Sequence, residues 1–121
     1  MKRFFLFIAT LLSLSSFAQT KIELGEQAMD SANYEAAVNY FTDHLKDDPK
    51  SCNAYLRRSL AFAYLGDYAA SISDATMAIK HWNKKAGVHV SIPYLMRANV
   101  YTTIEEYNKA LEDLNTAIKK R

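Results

Sequence analysis

Apolar residues recur along this chain at helical spacing, in runs broken by the same few kinds of residue. Leu24, Ala28 and Met29 share one helical face, and Asn33 then interrupts the pattern where a side-chain N-cap is expected. Ala37, Phe41 and Leu45 follow at i, i+4 and i+8. Asp48-Pro49 closes that run, because proline restricts the residue before it and cannot continue the hydrogen-bond ladder. Ser51 is the next candidate cap, and Tyr55, Ser59 and Phe62 form the stripe behind it. Gly66-Asp67 reads as a turn, with glycine supplying a left-handed backbone and Asp67 capping a helix from Tyr68. Ile72, Ala75 and Ile79 are expected to face inward. Ser91-Ile92-Pro93 is a good helix start, with Tyr94, Ala98 and Tyr101 as its stripe. The turn at Glu105-Glu106 lacks both glycine and a strong cap, and Ala110, Leu114, Ala117 and Ile118 form the last stripe.

The pattern repeats. At a shift of 34, Gly25 falls on Ser59, Tyr34 on Tyr68 and Ala36 on Ala70. At a shift of 39, Tyr55 falls on Tyr94, Leu56 on Leu95, Arg58 on Arg97 and Ser59 on Ala98. The same shift lays Tyr68 on Tyr107, Asp74 on Asp113 and Ala78-Ile79-Lys80 on Ala117-Ile118-Lys119. The difference between the shifts places five extra residues between the second and third units. Each unit reads as two helices, so the expectation is an all-α chain of three helix pairs.

This arrangement resembles the tetratricopeptide repeat, a helix-turn-helix unit with small and large residues at fixed places. Gly25 and Ser59 match its small residue in the first helix, and Ala98 is an acceptable third. Gly66-Asp67-Tyr68 matches its turn. Ala37 and Ala110 match the alanine at which the paired helices approach, where Ser71 is a substitute, and Pro49 matches its closing proline. The resemblance implies antiparallel helix pairs stacked as a short right-handed α-solenoid. Its repeats would lie near 19–51, 52–85 and 91–121, with an insertion loop near 81–90. With no capping helix after Arg121, the face of the last helix is expected to stay partly apolar unless self-association or a larger partner covers it.

The N-terminus stands apart. Lys2 and Arg3 precede an apolar run from Phe4 to Leu14, and Ser16 and Ala18 are small residues where a signal peptidase needs them. Residues 1–18 are therefore read as a bacterial-type secretory signal peptide cleaved after Ala18, giving a periplasmic or extracellular protein; an uncleaved anchor is the other reading. Gln19, not a cysteine, directly follows the cleavage site, which argues against a lipid-anchored form. The whole chain has 15 basic and 13 acidic residues, so removing Lys2 and Arg3 leaves 13 of each. A neutral mature chain lacks the basic excess that attracts nucleic acid or an anionic membrane. Only three glycines and two prolines are present, which favours helices with short turns over many strands.

In the resembled family, the first helices of successive units line a concave groove. The resemblance places Ile22, Glu26 and Met29 there from the first unit, Leu56, Arg57, Leu60 and Tyr64 from the second, and Leu95, Met96, Asn99 and Thr103 from the third. Such a surface suits a peptide or helix with alternating apolar and polar groups, although some of these residues could instead pack between helices. Some family members clamp the acidic C-terminus of a chaperone with lysines and asparagines. Ile22 and Glu26 stand where a lysine and an asparagine would be needed, so that activity is rejected here.

Arg58 and Arg97 each precede an aspartate, Asp74 and Asp113, by 16 residues, and a repeated ion pair within each unit is expected. Trp82 is a candidate interface anchor, with packing over the end of its own helix as the other reading. His81 and His89 lack cysteine partners and make no zinc signature, and His44 is expected to pack at a helix crossing. Cys52, the one cysteine, is read as a small buried residue or as a thiol that pairs with another chain. The eight tyrosines sit at repeat positions, so packing explains them better than base stacking. No nucleophile with a base, no phosphate loop and no cofactor motif is found. The reading is an exported protein-interaction scaffold that is not an enzyme. Its alternative is a structural subunit docking through its last helix, as a homo-oligomer or in an envelope complex.

Overall fold

A computed structural model describes residues 19–121, and the expected signal peptide at 1–18 lies outside them. Among the described residues there are six helices and no strand: α1 Lys21–Asp30, α2 Tyr34–Asp47, α3 Cys52–Tyr64, α4 Tyr68–His81, α5 Ser91–Thr103 and α6 Tyr107–Lys119. Each helix packs on the next in sequence, and α3 also touches α5. The result is an all-α solenoid of three stacked helix pairs. None of the described helices is long and apolar enough to cross a membrane.

Side chains start four of the helices. Thr20, Asn33, Ser51 and Asp67 accept from the backbone N–H of Glu23, Ala36, Ala54 and Ala70 at 3.1, 3.3, 3.1 and 3.2 Å. Each thereby satisfies one of the donors that a helix start leaves free. The turn inside each unit is the same motif three times. In the first, Asn33 N–H bonds Ala28 C=O at 2.8 Å and Ala32 N–H bonds Met29 C=O at 3.0 Å. The second uses Asp67 to Phe62 and Gly66 to Ala63, and the third Glu106 to Tyr101 and Glu105 to Thr102. This is a Schellman closure, which needs one left-handed residue. Ala32, Gly66 and Glu105 fill that place with φ of 56°, 78° and 64°, so only the middle turn has the residue best suited to it.

Each unit buries one small residue on each of its two helices, at positions that recur along the repeat. In the first unit, Gly25 and Ala37 are buried, and a methyl group added at Gly25 would overlap the Phe41 ring. In the third, the pair is Ala98 and Ala110. In the second, two serines replace it and satisfy each other. Ser59 Oγ donates to Ser71 C=O at 2.7 Å, and Ser71 Oγ donates to Ser59 C=O at 2.8 Å. The polar groups are therefore buried at little cost, because none is left unpaired.

The nine residues from Trp82 to Val90 link the second and third units. Trp82 is half-buried against Cys52 and Leu56, and its Nε1–H donates to Val88 C=O at 2.9 Å. It folds the insertion back onto the stack. His89 sits at the end of this loop, where its Nδ1 accepts from Ser91 N–H at 3.2 Å and helps start α5. His81 stacks on Tyr55 with ring centroids 5.8 Å apart. His44 is half-buried on α2, with Nε2 4.0 Å from an Asp48 carboxylate oxygen. Cys52 is buried at the start of α3, and burial pushes its thiol pKa up.

Candidate peptide groove

The expected Arg–Asp pairs are present and do more than join two helices. Arg58 on α3 donates from Nε and Nη2 to the two carboxylate oxygens of Asp74 on α4, at 2.7 and 2.8 Å. Arg97 repeats the fork on Asp113 at 2.8 and 2.7 Å. The third arm of each guanidinium reaches back to the unit before it. Arg58 Nη1 donates to Thr42 on α2 at 3.1 Å, and Arg97 Nη1 donates to Thr76 on α4 at 3.0 Å. Aromatic rings flank each arginine: Tyr55 and Phe62 at 5.7 and 5.8 Å, Tyr94 and Tyr101 at 5.9 Å each. The bond to the neighbouring aspartate raises the pKa of each guanidinium, against a smaller opposing effect of burial. These clasps tie α3 to α2 and α5 to α4, joining each later unit to the one before it.

The groove is two shallow clefts that share Leu60. One, of about 330 Å³, is lined by Glu26, Met29 and Asp30 of the first unit and by Arg57 and Leu60 of the second. The other, of about 220 Å³, continues through Ala63, Tyr64 and Tyr68 to Asn99, Val100 and Thr103 of the third. Seven of the expected groove residues are thus brought together: Glu26, Met29, Arg57, Leu60, Tyr64, Asn99 and Thr103. Tyr64 is 61% exposed and stacks on Tyr34 with ring centroids 4.7 Å apart, which holds a flat aromatic face at the rim.

The other four lie elsewhere. Ile22 packs toward the Ala37–Phe41–Ala61 cluster. Leu56 is only 7% exposed and fills the interior with Cys52 and Ala78, and Met96 packs against the same cluster. Leu95 sits on a different surface, a cleft between α5 and α6 lined also by Ser91, Ala117, Ile118 and Arg121. For Ile22, Leu56 and Leu95, which share one repeat position, the reason is rotation: one residue along a helix is 100°, so the neighbours Leu56 and Arg57 cannot share a face. Asp30, Ala63, Tyr68 and Val100 line the groove without having been expected. Asp30 was legible, since it lies one turn beyond Glu26.

The guanidinium in the groove is already paired. Arg57 Nη1 lies 2.8 Å from a Glu26 carboxylate oxygen, and Arg57 Nε donates to Asn53 at 2.9 Å. With Asp30 beside this pair, the first cleft has two carboxylates and one guanidinium. Among the described residues, no three of His, Cys, Asp and Glu lie close enough to hold a metal ion.

The stack of helix pairs has the same fold as solved tetratricopeptide-repeat domains. The TPR2B domain of yeast Sti1, solved in complex with a pHsp70 peptide, superposes with a TM-score of 0.75 at 25% identity over 83% of this chain and 76% of that one. The Arabidopsis OM64 TPR domain gives 0.75 at 24% identity over 84% and 79%. The second TPR domain of Spaghetti (RPAP3), bound to the HSP90 peptide SRMEEVD, gives 0.73 at 20% identity over 84% and 89%. Among curated sequences, the Hsp70-Hsp90 organising protein of Plasmodium falciparum is 37% identical over 70 residues, covering 55% of this chain and 28% of that protein. The DnaJ homolog subfamily C member 7 homolog of Dictyostelium discoideum is 28% identical over 103 residues, covering 82% and 18%. The chain thus spans under a third of the length of these relatives. No family model matches the chain.

Proposed function

We propose that this chain is a non-enzymatic interaction module that holds an apolar, uncharged or basic peptide segment in its concave groove. The observation that carries this is the continuity of the two clefts through Leu60, from Met29 on one side to Val100 on the other. An apolar floor with a rim of Asn99, Thr103 and Tyr64 suits an extended peptide or one helix face. Two of the similar structures hold chaperone peptides in their TPR domains. The groove here has no unmatched cation for such an acidic end, because Arg57 is committed to Glu26 and Asp30 adds a further negative charge. A carboxylate entering the first cleft would meet like charges, which disfavours it.

The test is a pull-down with the purified protein as bait, alongside its Leu60→Glu variant. The variant is expected to stay folded by circular dichroism, because Leu60 is only part-buried, and to lose the captured partner. Equal capture by both would remove the groove as the binding site. A fluorescent SRMEEVD peptide is expected to stay unbound up to about 100 µM, a concentration that reveals even weak peptide binding. Saturable binding below that level would overturn the exclusion of acidic termini.

The module is further proposed to act after export. The Lys2-Arg3 pair, the apolar run and the small residues Ser16 and Ala18 support this. Thr20, the N-cap of α1, lies after the proposed cleavage point and would be retained. N-terminal sequencing of the protein recovered from a bacterial periplasm is expected to begin at Gln19, and recovery of the intact Met1 end in the cytoplasm would refute export.

A further inference from the structure

Exposed apolar side chains are concentrated in the last unit. Of nine large hydrophobic residues exposed among the described ones, seven belong to residues 91–121. Tyr107, Leu111, Leu114 and Ile118 are exposed by 61, 57, 40 and 58% and line one face of α6. Their spacing of four, three and four residues is the 3.5-residue repeat with which two helices pair along a seam. At the shift of 39, these positions correspond to Tyr68, Ile72, Ala75 and Ile79 of α4, the helix on which α5 packs. The face therefore has the composition of a packed surface, and none of the described residues covers it.

The other end of the stack does not offer a matching surface. There, Leu24, Gln27, Ala28 and Ser31 of α1 lie beside Asn33, Ala36 and Tyr40. Leu24 stands, at the shift of 34, where α3 has Arg58, the residue that reaches Thr42 of the preceding unit. A head-to-tail stack of two copies would thus lack the arginine clasp used at both internal junctions.

We propose that α6 pairs with α6 of a second copy, antiparallel about a twofold axis. The stripe is symmetric about the point between Glu112 and Asp113. In that register Tyr107 meets Ile118 of the other copy and Leu111 meets Leu114, so every apolar position finds an apolar partner. The charges agree with the same direction. Glu105 and Glu106 precede the helix, while Lys119, Lys120 and Arg121 end it. Antiparallel pairing brings acidic end to basic end, and parallel pairing would bring like to like. Asp113 stays out of the seam because it is turned inward onto Arg97. The groove remains open, since it is built on the first helix of each unit, so pairing makes a two-grooved dimer and does not depend on what the groove holds.

One helix pair makes an interface at the small end of the specific range, and a dissociation constant on the order of micromolar is expected. Sedimentation equilibrium of the purified protein from about 1 to 300 µM brackets that value. The expected result is a reversible rise from protomer to dimer mass, weakened at least tenfold by Leu114→Glu and by Leu111→Lys, with helical circular dichroism unchanged in each. Orientation is read by mixing chains carrying Leu111→Cys with chains carrying Leu114→Cys under mild oxidation. The antiparallel register joins one kind of chain to the other, in preference to like pairs. A protomer mass throughout overturns the proposal, and so does a dimer that neither substitution weakens. Cross-links between like chains overturn the antiparallel register.

Discussion

At the scale of single residues, stability rests on a few buried polar contacts whose partners are all present. Asp74 shows this best. Its side chain is 5% exposed and takes both forks of Arg58. Removing it leaves a largely buried guanidinium with only Thr42, so Asp74→Ala is expected to lower unfolding stability by about 2–4 kcal/mol, measured by urea denaturation. A loss below about 0.5 kcal/mol, as for an exposed pair, would contradict this reading. The Lys21–Asp47 pair is such an exposed contact. At 2.7 Å it raises the lysine pKa and lowers that of the carboxyl, chiefly through the hydrogen bond between them. A lowered carboxyl pKa gives stability that is present above the unfolded value and is lost as pH falls through the folded one. Cys52 gives a second measurement. Its raised pKa and burial are expected to protect it from a thiol reagent at pH 8 in the native protein, with full reaction only in denaturant. Rapid native labelling would show that the start of α3 opens readily.

At the scale of elements, the three turns share one backbone path and differ in how well their residues suit it. Gly66 takes a φ of 78° freely, while Glu105 is held at 64° against its own side chain. The helix after it also starts without a side-chain cap. Glu105→Gly is therefore expected to stabilise the protein by about 0.5–1 kcal/mol, seen as a higher melting temperature. A lower melting temperature would mean that the flexibility gained by the unfolded chain outweighs the relief of strain.

The helices, caps and ion pairs were legible because each depends on residues close in sequence or recurring at a fixed shift. Asn33, Ser51 and Asp67 announce helix starts by type, and Arg58–Asp74 and Arg97–Asp113 announce themselves by repetition. Thr42 and Thr76 also recur, at the shift of 34, but that repetition does not say what they bind. Threonine on a helix surface is commonplace, and its role emerges only when the next unit brings an arginine to it. The groove was legible in part for a similar reason. Apolar character suits both an open surface and a helix junction, so Leu60 and Leu56 look alike in sequence although only Leu60 lines the clefts. Trp82 was ambiguous until the insertion supplied the Val88 carbonyl.

At the scale of the whole molecule, the stack is a short one-dimensional array with two unlike ends. The first unit has Leu24 and Tyr40 where later units have Arg58–Asp74 and Arg97–Asp113, and its outer surface includes Gln27, Ser31 and Asn33. The last presents the bare stripe of α6. Each junction depends on its neighbours, as in other repeat arrays, so damage at one clasp should loosen the adjacent pair before the distant one.

The arginine clasps also have a direction. Each one reaches from a unit back to the unit before it, and none reaches forward. A ribosome or an export channel delivers the chain N-terminus first, so every arginine emerges after the threonine that will receive it. The growing molecule can add its helix pairs in order onto a receptor already formed, and the α6 surface that two copies would share forms only after both clasps are in place.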